Sequence, residues 1–134
     1  MLWQGKLLRL YRSPRLTMSA SDQPNPALLL QGRRLLVTGG ARGLGLAFAE
    51  HLAAQGARVV IADLRAELGE QSAATLRAAG HDVQALALDL ADPASISACA
   101  AQASALLGGL DGLVNNGAIT DSGGRDSAQI DIAT

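Results

Sequence analysis

Aromatic residues are nearly absent from this chain of 134 residues: one Trp, one Tyr and one Phe, 2% of the whole. With 49% of residues apolar, the core must be built from Ala, Leu, Val and Ile. Cysteine occurs once, at Cys99, which excludes an internal disulfide and any cysteine-based zinc site. A lone Cys in an Ala-rich helical pattern reads as a small buried apolar residue. Net charge is only −1, so there is no electrostatic case for a nucleic-acid partner. No apolar run approaches the ~20 residues needed to span a bilayer, and no membrane partner is expected. One domain is the ceiling at this length.

The balance hides an asymmetry. Residues 1–17 hold Lys6, Arg9, Arg12 and Arg15 and no acid, for a charge of +4, against −5 for the remainder. Three readings compete: an Arg-rich organellar targeting peptide, a membrane-surface helix, or an extension upstream of a natural start at Met18. The last fits best, because Met18-Ser19-Ala20-Ser21 begins a polar lead-in and Pro14 breaks the helix that the others require. A cytoplasmic location is expected. Residues 1–31 then form a disordered or basic extension, and the folded part starts near Gly32.

From Gly32 onward the pattern alternates. Arg34–Thr38 reads as a strand and Leu44–Gln55 as a helix with Leu44, Phe48 and Leu52 on one face. Gly56 stops it. Arg58–Ala62 is a β-branched strand. Arg65–Ala79 is helical, with Leu68, Ser72 and Leu76 in register and Gly80 as the stop. Val83–Leu88 is a third strand. Asp92-Pro93 is an N-cap followed by Pro at the first helical position. Ser95–Leu107 is a third helix with Ile96, Cys99, Ala103 and Leu107 facing inward, ended by Gly108-Gly109. Leu113–Asn115 is a fourth strand, and beyond Gly117 the chain turns polar and glycine-rich. Strands alternating with helices predict an α/β, doubly wound parallel sheet with right-handed crossovers.

The first strand runs into Thr38-Gly39-Gly40-Ala41-Arg42-Gly43-Leu44-Gly45. A strand, a glycine turn and a helix N-terminus make an anion site: glycine lets the backbone approach a phosphate, and the first helical amides lack internal partners. The spacing Gly-x3-Gly-x-Gly departs from the common Gly-x-Gly-x-x-Gly dinucleotide fingerprint. Asp63 ends the second strand, 18 residues after Gly45. A carboxylate there can accept two hydrogen bonds from a ribose diol and repel a 2′-phosphate, which favours NAD over NADP. The competing role is a cap for the next helix. Arg42 or Arg65 could meet a 2′-phosphate, which keeps NADP in view. Asp89-Leu90 and Asn115-Asn116-Gly117-Ala118 end the third and fourth strands, where open α/β sheets bind ligands. His51 and His81 fall at no strand end and read as surface residues. No metal site is expected.

Together these residues resemble the short-chain dehydrogenase/reductase family over roughly residues 32–125. The glycine stretch matches that family's Thr-Gly-x3-Gly-x-Gly cofactor motif, which accounts for the spacing. Asp63 matches its NAD-selecting acid, Asp89-Leu90 its adenine-side pair, and Asn115-Asn116-Gly117-Ala118 its Asn-Asn-Ala-Gly motif with the last two residues exchanged. The resemblance implies a Rossmann-like sheet in the order 3-2-1-4, a partial NAD(P)-binding domain over 32–134, and hydride transfer between a nicotinamide and an alcohol or ketone substrate. It assigns Thr38, Gly39, Arg42, Gly43, Leu44, Gly45, Asp63, Asp89, Leu90, Asn115, Asn116 and Gly117 to the cofactor.

The family's chemistry resides in a Ser, an Asn and a Tyr-x3-Lys pair, the Lys lowering the Tyr pKa toward neutral pH. This chain has one Tyr and one Lys, Tyr11 and Lys6, not so spaced and both ahead of the fold. No catalytic residue carries over, and the chain ends at Thr134, about where a fourth helix would start. Little or no turnover is therefore expected of it. A second reading is a non-catalytic dinucleotide-binding or interaction module. An exposed fourth strand would favour association or homo-oligomers through the sheet edge.

Overall fold

The computed structural model describes residues 28–119. The basic segment 1–17, with Lys6 and Tyr11, most of the polar lead-in and the glycine-rich stretch from Thr120 lie outside the described residues. Seven elements alternate along the described residues: β1 (Arg34–Thr38), α1 (Gly43–Ala54), β2 (Arg58–Asp63), α2 (Ala66–Ala78), β3 (Val83–Ala87), α3 (Pro93–Leu107) and β4 (Gly112–Val114). Each lies within two residues of the position its pattern predicts. Upstream of β1, the Leu30 amide donates to the Gln55 carbonyl at 2.9 Å and the Leu30 side chain packs on the core.

All strand pairs are parallel, and their order is β3-β2-β1-β4, as expected. Period-two alternation sends successive side chains to opposite faces. Val37, Val59, Ile61 and Val83 face α1 and α2, where they meet Ala49, Ala53, Ala73 and Leu76. Leu36, Val60 and Ala62 face α3, where they meet Cys99, Ala103 and Leu107. The sheet is therefore doubly wound, and its central strand β2 is apolar on both faces, as a sandwiched strand must be. Burial pushes the Cys99 thiol pKa up, which keeps it un-ionised. No helix among the described residues is long and apolar enough to cross a membrane.

Two helix faces differ from the expectation. In α1 the buried residues are Gly45, Ala49 and Ala53. Leu44 is 70% exposed and Phe48 42%, while Leu52 is half-buried. The fully buried positions of the helix are all small, and Leu46 and Leu52 pack on the core from partly buried positions. In α3, Cys99, Ala103 and Leu107 point inward as predicted, but Ile96 is largely exposed. In α2 the buried set is Gly69, Ala73 and Leu76, with Leu68 and Ser72 half-buried beside it.

Charged side chains fasten the end of the sheet opposite the cleft described below. The Arg34 guanidinium grips Asp111 through Nε–Oδ2 at 3.0 Å and Nη2–Oδ1 at 2.9 Å, and also donates to the Gly108 carbonyl. These bonds anchor the start of β4 to the start of β1 and hold the Asp111 carboxyl well below the usual carboxylate range. Arg58 similarly bridges Asp82 and the Leu107 carbonyl. β3 and β4 are the outer strands among the described residues, and Leu113 on β4 is 55% exposed.

Candidate functional site

The four strands deliver their carboxyl ends to one open cleft of about 400 Å³. Gly39, Arg42 and Gly43 come to it from the β1–α1 junction, Asp63 and Arg65 from the end of β2, Asp89 and Leu90 from the segment after β3, and Asn116 and Gly117 from the segment after β4. Eight of the twelve sequence-predicted residues therefore share one surface. Thr38, Leu44, Gly45 and Asn115 do not line it.

Thr38 and Gly45 act on the cleft from behind. Thr38 is buried, and its Oγ1 accepts from the Gly117 amide at 2.9 Å and donates toward the Val114 carbonyl. The Asn116 side-chain amide donates to the carbonyls of Thr38 and Gly39 at 3.3 and 3.2 Å. The segment after β4 is thus sewn to the glycine turn. A Cβ on Gly45 would fall on the Gly39 carbonyl and within 2.6 Å of Asn116 Nδ2, so only glycine lets α1 start this close to the turn. Gly39 has φ of 66°, the left-handed region that sends the chain from strand to helix. Gly117, at the position exchanged relative to the motif, is tightly enclosed: an added Cβ would meet Leu90 at 3.0 Å and Thr38 Oγ1 at 3.1 Å. Asn115 is exposed, and Leu44 points to solvent.

The head of α1 has no side-chain acceptor of its own. Arg42 at the N-cap makes no capping hydrogen bond, and no acidic residue sits in the first turn. A Cβ on Gly43, which lines the cleft, would meet nothing within 4 Å. The amides there open onto free space with the helix dipole behind them.

The Asp63 carboxylate is held by two backbone amides. Its Oδ1 accepts from the Arg65 amide at 3.0 Å, beside the start of α2, and its Oδ2 accepts from the Ala41 amide at 3.1 Å. Each oxygen has a second lone pair for an outside donor. Asp89 closes a local turn, with Oδ1 accepting from the Ala91 amide at 2.9 Å. Arg65 and Arg42 are exposed at the rim. Ala62, Leu64, Leu88, Ala118 and Ile119 also line the cleft and were not predicted. Their signal is adjacency, since each lies within two residues of a predicted strand-end residue. His51 is exposed and His81 half-buried, both outside the cleft. No cluster of potential metal ligands exists among the described residues.

A family model described as short chain dehydrogenase matches residues 33–132. The chain is 46% identical over 92 residues to a sorbitol dehydrogenase of Cereibacter sphaeroides, covering 69% of this chain and 35% of that protein. It is 42% identical over 102 residues to a 2,5-dichloro-2,5-cyclohexadiene-1,4-diol dehydrogenase of Sphingobium indicum, covering 76% and 41%. Among solved structures, a short chain dehydrogenase from Burkholderia cenocepacia in complex with NADP superposes with a TM-score of 0.67 at 38% identity, covering 77% of this chain and 42% of that one. The chain thus spans between a third and a half of the length of these relatives.

Proposed function

The chain belongs to the short-chain dehydrogenase family, and from that premise we propose that its cleft holds the adenine and pyrophosphate portions of a nicotinamide dinucleotide, NAD ahead of NADP. The observation that carries this is the sharing of one cleft by the uncapped head of α1 and the Asp63 carboxylate. Amides and helix dipole match a pyrophosphate. The free lone pairs of Asp63 match a ribose diol and oppose a 2′-phosphate. Arg42 and Arg65 at the same rim offer a partner to that phosphate, so the two cofactors must be compared directly.

Within this reading Gly39, Gly43 and the first amides of α1 hold the phosphates, with Thr38 and Gly45 supporting them. Leu90 and Asp89 border the adenine, and Asn116 and Gly117 keep the end of β4 in register with the glycine turn. A nicotinamide dinucleotide held by these residues would supply the chemistry of hydride exchange with an alcohol or carbonyl carbon. The general acid or base for that exchange is not supplied by Tyr11 and Lys6, which lack the Tyr-x3-Lys spacing. The cytoplasm, with its dinucleotide pool, is the setting this reading expects, and the β4 edge with exposed Leu113 is the surface for association.

Titration calorimetry of residues 1–134 against NAD⁺, NADP⁺ and ADP tests the proposal. Binding of all three with NAD⁺ tighter than NADP⁺ is expected; no heat from any of them would overturn it. Asp63→Asn keeps an acceptor but removes the charge. It should weaken NAD⁺ about tenfold, the equivalent of one lost charge-assisted hydrogen bond, and shift the preference toward NADP⁺.

A further inference from the structure

Ala41 lies at the middle of the glycine turn and is only 1% exposed. Both of its backbone polar groups are held by side chains of the next strand-helix unit. Its amide donates to Asp63 Oδ2 at 3.1 Å, and its carbonyl accepts from Ser72 Oγ on α2 at 2.7 Å. Its methyl faces Gly69, one turn before Ser72, where an added Cβ would stand 4.0 Å away. Ser72 itself does not line the cleft.

The Ala41 carbonyl belongs to the same rigid trans peptide plane as the Arg42 amide, and the two point in opposite directions. Fixing one therefore fixes the other. Arg42 is the N-cap of α1, so this amide is the first of those at the uncapped helix head. Without the serine hydroxyl the carbonyl is buried and unpaired, which is unfavourable unless the peptide turns toward water. Such a rotation re-aims the Arg42 amide and loosens the turn ahead of Gly43.

We propose that Ser72 is a positioning residue of the cofactor site, which aims the phosphate-facing amides of α1 by holding the Ala41–Arg42 peptide. The cofactor part of this rests on the dinucleotide reading above. Ser72 acts on the pyrophosphate portion common to NAD⁺, NADP⁺ and ADP, whereas Asp63 acts on the adenosine ribose, whose 2′-phosphate sets NADP⁺ apart from the other two.

Ser72→Thr and Ser72→Val provide the test in the full chain, since they share a shape and differ by the hydroxyl, with Ser72→Ala as the smaller deletion should the Val form not fold. The hydroxyl-free forms should bind NAD⁺, NADP⁺ and ADP more weakly by the same factor, about three- to tenfold, and the Thr form should bind as the parent does. Partial unfolding would also weaken all three ligands by one factor, so affinities are compared where the urea transition shows every form fully folded. Amide hydrogen exchange without ligand gives a separate readout: the amides of Ala41 and Leu46, bonded to Asp63 Oδ2 and the Arg42 carbonyl, should exchange faster in the Val or Ala form than in the Thr form. Equal affinities and equal exchange across these forms would overturn the proposal, as would a loss confined to NAD⁺. If the parent binds no dinucleotide, the cofactor reading falls, while the exchange difference still supports the hold of Ser72 on the turn.

Discussion

Two strand-to-helix junctions stand at the same edge of the sheet and are finished in opposite ways. At the β3–α3 junction, Asp92 caps the helix by accepting from the Ala94 amide at 2.9 Å, Pro93 occupies the first turn without an N–H to satisfy, and Ser95 Oγ accepts from the Asp89 amide. At the β1–α1 junction, Arg42 stands at the N-cap with no capping bond, and Gly43-Leu44-Gly45 open the helix. The first arrangement satisfies its own donors; the second withholds a cap where local chemistry would favour one. Unsatisfied donors beside an open cleft have value only if something outside the chain accepts from them. The head of α2 at Arg65 also lacks a side-chain cap, so the missing cap at Arg42 takes its meaning from the glycine turn beside it, and the capped α3 serves as its internal control.

The comparison breaks most severely at Gly45. A valine there must displace the Gly39 carbonyl and the Asn116 amide. Overpacking of this kind costs roughly 1–3 kcal/mol or more, so Gly45→Val should lower the urea midpoint markedly and abolish dinucleotide binding in calorimetry. Arg42→Asp is subtler, because it gives α1 the cap that α3 already has. The helix should gain about 1 kcal/mol. NAD⁺ affinity should fall about a hundredfold, as the new carboxylate occupies the amides and a guanidinium available to phosphate is lost. Stability and affinity would then move in opposite directions. A variant both more stable and equally tight would show that the open N-terminus has no part in binding.

Much of this was legible in the chain. Apolar runs marked the strands, and Gly56, Gly80, Gly108 and Asp92-Pro93 marked where helices stop and start. The strand-end residues were legible because in a parallel α/β sheet chain order places every such end on one edge. The face of α1 was not, and in α3 only Ile96 departs from the predicted face. Periodicity weighs large apolar residues, yet α1 packs through Gly45, Ala49 and Ala53 and leaves Leu44 and Phe48 outside. Close approach of a helix to a sheet selects for small side chains, and pattern alone cannot tell that from a weak face. The supports of the site were also hidden. Ser72 reaches Ala41 across 31 residues, and Asn116 reaches Gly39 across 77. Such bonds depend on how the units dock rather than on local sequence.

The mildest intervention sharpens the comparison from the other side. Asp92→Ala removes the α3 cap and leaves the Ala94 amide to water, since Asp92 and Ala94 are both exposed. The cost should be about 1 kcal/mol, the usual worth of an N-cap side chain. Because two-state unfolding applies to domains of this size, it should appear as a lower urea midpoint with an unchanged slope. Asp92 does not line the cleft, and its carboxylate bonds to the Ala94 amide rather than to the glycine turn, so the NAD⁺ dissociation constant should stay within twofold of the parent value. Two substitutions at equivalent positions of two helices then give opposite pairs of results: a cap added at Arg42 strengthens the fold and weakens binding, and a cap removed at Asp92 weakens the fold and leaves binding alone. A loss of affinity in Asp92→Ala matching its loss of stability would mean that binding follows general integrity of the sheet edge, and the distinction between the two junctions would collapse.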